Sequence, residues 1–150
     1  MRRLRMASLC AAPLLILAAC AGQPTATTVE VMLVEFAVIP DVTEVPAGEV
    51  TFQATNDGPN DPHELVVIKT DLAPAALPTD QDGAVDEAGS GIEVLGEIEE
   101  FAVGGTESMT LTLEPGSYVL ICNLVEMEDG EVEAHYAMGM RTAFTVTEGS

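Results

Sequence analysis

The sequence is poor in basic residues, in histidine and in cysteine, and each shortage narrows the possible functions. Five Lys and Arg residues stand against 25 Asp and Glu, so nucleic acid and anionic lipid surfaces are disfavoured partners. There are two histidines and three cysteines in 150 residues. The apolar run near the N-terminus is too short to span a bilayer stably.

The N-terminal residues have the features of a signal peptide. Three arginines among the first five residues precede the apolar run L-C-A-A-P-L-L-I-L-A-A. The following L-A-A-C resembles the lipobox of bacterial lipoproteins, which implies cleavage before Cys20, lipidation of its sulfur and a membrane tether outside the cytoplasm. Ordinary secretory cleavage, with Cys20 incidental, is the alternative. The chain then divides into a signal peptide at 1–19, a lipid-anchored linker at 20–27 and a single domain at 28–150.

The domain left after cleavage is strongly acidic. Lys69 and Arg141 are its basic residues against 25 acidic ones, a net charge of −23. This field attracts basic partner proteins, and the attraction weakens with salt. Acidity that keeps the protein soluble, or adapts it to a salty habitat, explains the same charge equally well. We expect a monomer.

Cys122 is the one thiol left in this domain, so a disulfide within it is excluded. An unpaired thiol in an oxidising compartment needs a reason, and metal ligation provides one. A buried, inert cysteine is the alternative.

The stretch from Cys122 to Met140 combines a thiol, an imidazole and thioethers, and His63 supplies the second imidazole. Two histidines and one cysteine, with a weak axial methionine, form the ligand set of a blue-copper site. Zinc also accepts one cysteine and two histidines, but a structural zinc site takes four strong ligands and the sequence offers three. A methionine considered alone is more often core filler.

Short alternating segments predict an all-β, Greek-key β-sandwich of about seven to eight strands. The run H-E-L-V-V-I-K, opened by His63, predicts a buried strand. Residues 71–91 predict an irregular insertion, and 92–103 are compatible with a strand or a short helix, of which we favour extended structure. Residues 107–113 and 118–122 predict a hairpin whose second strand ends at the thiol. The residues predicted to face the core include Val29, Val31, Leu33, Val50, Phe52, Ala54, Ala143, Phe144 and Val146.

Three segments resemble the cupredoxin family: V-P-A-G-E-V-T-F-Q-A-T-N-D-G-P-N-D-P-H-E-L, G-S-Y-V-L-I-C-N-L and H-Y-A-M-G-M-R-T-A-F-T-V. The C-N…H-x4-M ending is similar to the sulfocyanin and rusticyanin branch. The resemblance implies one type 1 copper, held by His63, Cys122 and His135 with Met140 as the axial ligand, and one-electron transfer. It also implies that His135 is the ligand nearest the surface and passes the electron.

Two features depart from the family pattern. Twelve residues, five of them acidic, separate Cys122 from His135, where family members usually have two to four. This insertion at 123–134 is predicted to form an acidic flap that either restricts docking to a basic partner or only adds charge. Glu64 stands where several cupredoxins have an asparagine that ties the two ligand loops together, and Asn123 is the candidate to replace it.

These observations favour a membrane-tethered electron carrier that works with a redox partner bearing a basic docking surface. The alternative is an extracytoplasmic module that binds and delivers copper, with Met127 and Met138 as additional soft ligands. An enzymatic copper site is disfavoured, because a methionine is available for the axial position and we find no acid/base motif.

Overall fold

Two β-sheets pack face to face, and a separate two-stranded hairpin lies beside them. The computed structural model describes residues 26–128 and 130–149. One short helix, α1, spans His135–Met138. The strands in chain order are β1 (Thr27–Val34), β2 (Ala37–Pro40), β3 (Glu44–Pro46), β4 (Gly48–Asn56), β5 (His63–Lys69), β6 (Glu93–Phe101), β7 (Thr106–Leu113), β8 (Gly116–Ile121), β9 (Val125–Glu128), β10 (Glu131–Ala134) and β11 (Arg141–Thr147). The predicted β-sandwich is confirmed, and within the described residues its two sheets contain nine strands, where the sequence predicted about seven to eight.

The first sheet has the strand order β2-β1-β4-β7, with β1 and β4 parallel. Its inward residues alternate with exposed ones, because successive side chains of a strand point to opposite faces. The ring of Phe52 meets that of Phe144 from the second sheet edge to face, with centroids 5.5 Å apart. Such burial contributes about 1.5–3 kcal/mol per large apolar side chain. The apolar inward residues of β1 and β4 are, as predicted, Val29, Val31, Leu33, Val50, Phe52 and Ala54. The prediction that Ala143 of β11 faces the core is wrong, because this residue is exposed.

The second sheet has the order β3-β11-β8-β5-β6, and its strand β5 is covered on both faces. Leu65 and Val67 belong to the core between the sheets, whereas Val66 and Ile68 belong to a second apolar cluster on the outer face. The irregular segment 71–91 supplies part of that cluster and has one isolated bridge, between Thr79 and Val85. The double burial explains why β5 is a continuous apolar run instead of an alternating one.

The predicted hairpin of residues 107–113 and 118–122 is wrong. Strand β7 pairs with β4 in the first sheet, whereas β8 pairs with β5 and β11 in the second. The chain therefore crosses between the sheets at Glu114–Ser117, and Leu113 and Tyr118 enter the same core from opposite sides. Alternation shows that a strand has one apolar face, but a hairpin and a crossover bury that face equally well.

The insertion predicted at 123–134 contains the antiparallel pair β9 and β10, which we call the acidic hairpin. Paired residues of an antiparallel ladder share a face. The register pairs Glu133 with Glu126 and Val132 with Met127, so one face is acidic and the other is apolar. The acidic flap of the sequence prediction is thus a regular hairpin.

The predicted signal peptide and the lipidation site Cys20 lie outside the described residues. Strand β1 begins at Thr27, one residue before the predicted start of the domain. Over residues 26–128 and 130–149, the chain has no helix with the length and apolar content required to cross a membrane.

Candidate metal centre

Two adjacent strands bring His63 and Cys122 together. His63 is the first residue of β5, and Cys122 directly follows the last residue of β8. Because these strands pair antiparallel, the start of one lies beside the end of the other. The Sγ of Cys122 is 4.0 Å from Nδ1 of His63, and both side chains are fully buried.

His135 completes the group from the neck of the acidic hairpin. Its backbone N–H donates to the carbonyl of Leu124 at 2.9 Å, so the chain that leaves the site after Asn123 returns to it directly. The Nδ1 of His135 lies 3.3 Å from Sγ of Cys122 and 3.3 Å from Nδ1 of His63. A long insertion is therefore tolerated because a hydrogen bond closes its base.

Met140 is fixed to the same two ligand residues by its backbone. Its N–H donates to the carbonyl of His135 at 3.0 Å, and its carbonyl accepts from the N–H of Cys122 at 3.1 Å. Its side chain is fully buried in the core cluster that includes Cys122, whereas Met138 is 46% exposed. The choice between the two methionines thus favours Met140, and its role as axial ligand stays a prediction.

Burial affects the protonation of two of the donors, Cys122 and His63. It raises the pKa of the Cys122 thiol to about 12, so this group is a thiol at neutral pH until a cation replaces its proton. Burial, together with the neighbouring His135, lowers the pKa of His63, which favours the neutral imidazole that metals bind. Two imidazole nitrogens and one sulfur thus converge in a dry site, and a soft or borderline cation fits this donor set.

Glu64 itself connects the two ligand segments, contrary to the suggestion that Asn123 replaces the missing asparagine. Its carboxylate accepts a hydrogen bond from the backbone N–H of Asn123 at 2.8 Å, and its own N–H points at Sγ of Cys122 from 3.5 Å. Burial and a hydrogen bond with Glu97 raise the pKa of Glu64 to about 8. The side chain of Asn123 instead accepts a hydrogen bond from the backbone N–H of Val85 and donates one to its carbonyl.

Two residues that shape the loop before His63 were missed in the sequence. Glu35 accepts hydrogen bonds from the N–H groups of Asn60 and Asp61 at 2.8 and 2.6 Å. The side chain of Asn56 is fully buried and donates to the carbonyls of Asp61 and Phe101. Asn56 continues the inward phase of β4, and a polar residue at an apolar phase was the signal that could have identified it.

His135 is as completely buried as His63 and Cys122, so exposure does not distinguish it as the ligand nearest the surface. Its side chain is 0% exposed. The ring of Phe36 packs against it edge to face at 5.3 Å, and Glu126 of the acidic hairpin brings a carboxylate oxygen to 3.3 Å from Nε2. The insertion therefore contacts the imidazole, and passage of the electron through His135 stays a prediction.

Comparison with known proteins shows which solved structures this chain resembles. No protein-family model and no curated protein matches the sequence. A reduced auracyanin from Roseiflexus castenholzii is 28% identical over 82% of this chain and 98% of its own, with a TM-score of 0.57. Auracyanin A from Chloroflexus aurantiacus, a "blue" copper protein, is 20% identical over 81% of this chain and 99% of its own, with a TM-score of 0.52. The chain has the cupredoxin fold.

An azurin from Methylomonas sp. strain J has the same fold, at 15% identity over 83% of this chain and all of its own, with a TM-score of 0.50. These three similarities confirm the fold that the sequence motifs predicted. The narrower resemblance to sulfocyanin and rusticyanin stays a prediction. The donor set of this protein fits one type 1 copper, with His63, Cys122 and His135 as the strong ligands.

Proposed function

We propose that this protein is a one-electron carrier whose copper is held by His63, Cys122, His135 and Met140. The observation that carries the proposal is the convergence of two Nδ1 atoms and one Sγ, 3.3 to 4.0 Å apart, inside a closed core. Copper would supply a one-electron change between Cu(II) and Cu(I). The auracyanin that is 28% identical was solved after reduction with dithionite, which supports redox activity here.

The protein contributes a rigid and dry set of ligands. His63 and Cys122 are held by paired strands, and the backbone of Met140 is bonded to His135 and Cys122. The Glu64 N–H points at the sulfur, where a hydrogen bond stabilises a thiolate. Ligands fixed in this way move little when the charge of the site changes, and little movement favours fast electron transfer.

Optical and electron paramagnetic resonance spectra test this function. Wild-type protein loaded with Cu(II) should be intensely blue, should bleach with dithionite and should recover its colour on reoxidation. Cys122→Ser should remove the blue band, because a serine oxygen does not replace the thiolate, while the circular dichroism spectrum stays that of a β-sandwich. A colourless wild-type Cu(II) complex would reject the proposal.

Copper delivery is the second candidate, favoured by two exposed thioethers near the site. Met127 is 67% exposed and Met138 is 46% exposed, and thioethers bind Cu(I). Competition with a Cu(I) chelator such as bicinchoninate separates the two functions. A carrier should keep its copper through many redox cycles, whereas a delivery module should release it readily and should do so less readily after Met127→Leu and Met138→Leu.

The place of action is proposed to be the outer side of a bacterial cell membrane, with the lipid on Cys20. The support is the sequence L-A-A-C behind a signal-like segment. Expression in a lipoprotein-processing bacterium should place the protein in the membrane fraction, and Cys20→Ser should move it to the soluble extracytoplasmic fraction. An unchanged distribution would contradict lipid anchoring.

The partner is proposed to be a redox protein with a basic docking surface, and the carrier itself a monomer. The support is the net charge of −23 that remains after signal removal, together with the acidic face of the hairpin. Electron exchange should be faster with basic than with acidic cytochromes, and the difference should shrink as salt increases. Sedimentation at low salt tests the monomer.

A further inference from the structure

The acidic hairpin contacts the metal centre as well as solvent. One carboxylate oxygen of Glu126 lies 3.3 Å from Nε2 of His135, the ring nitrogen that points away from Cys122. The imidazole is completely buried, whereas the Glu126 side chain is 36% exposed. A carboxylate oxygen of Asp61, one of Glu126 and a ring nitrogen of His135 all lie within 4.8 Å of one another. A residue of the insertion therefore contacts a candidate ligand from outside the sandwich.

The chemistry of the ring determines what this contact does. An imidazole that binds a metal through Nδ1 carries its proton on Nε2, and a buried N–H needs an acceptor. In the present geometry Nε2 is within ion-pair distance of Glu126 but makes no hydrogen bond. The terminal torsion of a glutamate is broad, so a modest rotation of the carboxylate aligns an oxygen with the N–H.

We propose that Glu126 is a positioning residue for His135, which accepts the Nε2–H hydrogen bond and so fixes the orientation and tautomer of the ring for Nδ1 ligation. This inference rests on the proposed copper function. Metal-bound histidines commonly donate their second N–H to a carboxylate, and this contact makes the ligand more basic. The negative charge beside the ligand also favours Cu(II) over Cu(I), and so lowers the reduction potential.

The inference gives the insertion a role at the metal in addition to its charge at the surface. Packing of Phe36 against the ring is the competing explanation for its orientation, and it requires no acceptor. A hydrogen bond and packing differ in two properties that can be measured: the exchange of the Nε2 proton with solvent and the reduction potential.

The test compares Glu126→Ala and Glu126→Gln with Glu133→Gln, which removes the same charge directly across the hairpin from Glu126. In the diamagnetic Cu(I) form, nitrogen-15 labelled histidine reports the Nε2–H signal of His135. We expect its exchange with solvent to be at least tenfold faster in Glu126→Ala. Glu126→Gln should retain slow exchange, because the amide oxygen still accepts, and Glu133→Gln should match the wild type.

The reduction potential gives the second measurement. Both Glu126 variants should have a higher potential than Glu133→Gln at the same pH and ionic strength. Should Glu126→Ala fail to fold, the potential of the isosteric Glu126→Gln decides. A blue wild type with equal exchange rates and potentials in the Glu126 and Glu133 variants would overturn the positioning role alone. A wild type without the blue band would overturn the copper function, and this inference with it.

Discussion

The sandwich and the acidic hairpin are built from the same alternating pattern but use it differently. In the sandwich, the alternating residues Val50, Phe52 and Ala54 of β4 are apolar and fully buried. In the hairpin the apolar residues Met127 and Val132 are 67% and 48% exposed. In the sandwich, apolar residues alternate with polar ones because one face of the strand is buried. In the hairpin the apolar face is exposed, so burial does not explain the alternation.

This difference separates the residues that stabilise the fold from those that affect the metal centre. The hairpin is closed at its base by the hydrogen bond from the N–H of His135 to the carbonyl of Leu124, which fixes the backbone of that ligand residue. Within the hairpin, the side chain of Glu126 turns toward the imidazole of His135. Mutations in the two regions should accordingly change different properties.

The largest difference is expected in stability. Phe52→Ala should lower the free energy of unfolding by about 3–5 kcal/mol, because the buried ring leaves a cavity between the sheets. Met127→Ala, the matched removal of a large apolar side chain from the hairpin, should change it by less than about 0.5 kcal/mol. Urea denaturation of the copper-free protein measures both. Equal losses would show that the hairpin contributes to the core.

The second difference concerns the acidic residues and how the stability of the folded protein depends on pH. Burial raises the pKa of Glu64 from its ordinary value of about 4.5 to about 8 in the folded protein. The folded state then binds more protons than the unfolded state between these values, so its stability is highest below about pH 4.5 and is lost as the pH rises toward 8. For this one group the loss should be a few kcal/mol, since one pKa unit corresponds to about 1.4 kcal/mol.

Glu64→Gln should remove that slope in the copper-free protein. The amide still accepts from the N–H of Asn123 and can donate to Glu97, as the protonated acid does. Glu133→Gln, in the hairpin, should leave the slope as it is. Denaturation midpoints between pH 5 and 8 measure the effect. A slope retained in Glu64→Gln would assign the pH dependence to another group.

The sandwich and the convergence of His63, Cys122 and His135 could be predicted because both depend on local signals. Alternating apolar residues mark a buried strand face, and with two histidines and one free thiol in the domain there was one way to assemble three strong ligands. The pairing of β7 and β8 was not predictable, because their alternation is compatible with either sheet.

The environment of His135 was also beyond the sequence. The spacing showed an acidic insertion, but the register of its hairpin decides which acids share a face and that Glu126 meets the imidazole. The same holds for Glu64, whose partners are brought close by strand pairing between distant segments. A sequence supplies the donors and acceptors, and the tertiary fold selects the pairs.

A smaller loss of stability is expected in the other insertion, at 71–91, and not in the hairpin. Asn123, the residue that follows Cys122, holds that segment through two hydrogen bonds with Val85, at 2.6 and 3.1 Å. Asn123→Ala leaves these part-buried backbone groups without partners and should cost about 1–3 kcal/mol. Limited proteolysis should then cut within 71–91 sooner, and cutting within the hairpin should be unchanged. Faster cutting at both sites would indicate general destabilisation instead.

The smallest effect is expected from the outer charges of the hairpin. Glu131 is exposed, so Glu131→Gln should change stability by less than about 0.5 kcal/mol. It should nevertheless slow oxidation of the Cu(I) protein by the cation hexaammineruthenium(III) about twofold at low ionic strength, and slightly speed oxidation by the anion ferricyanide, because its charge contributes to the field met by an approaching ion. Both changes should vanish near 1 M salt, where the Debye length is about 3 Å. A change of the same sign with both oxidants, or one that persists in high salt, would mean that the substitution alters the metal centre, and the separation between an outer surface at Glu131 and an inner contact at Glu126 would fail.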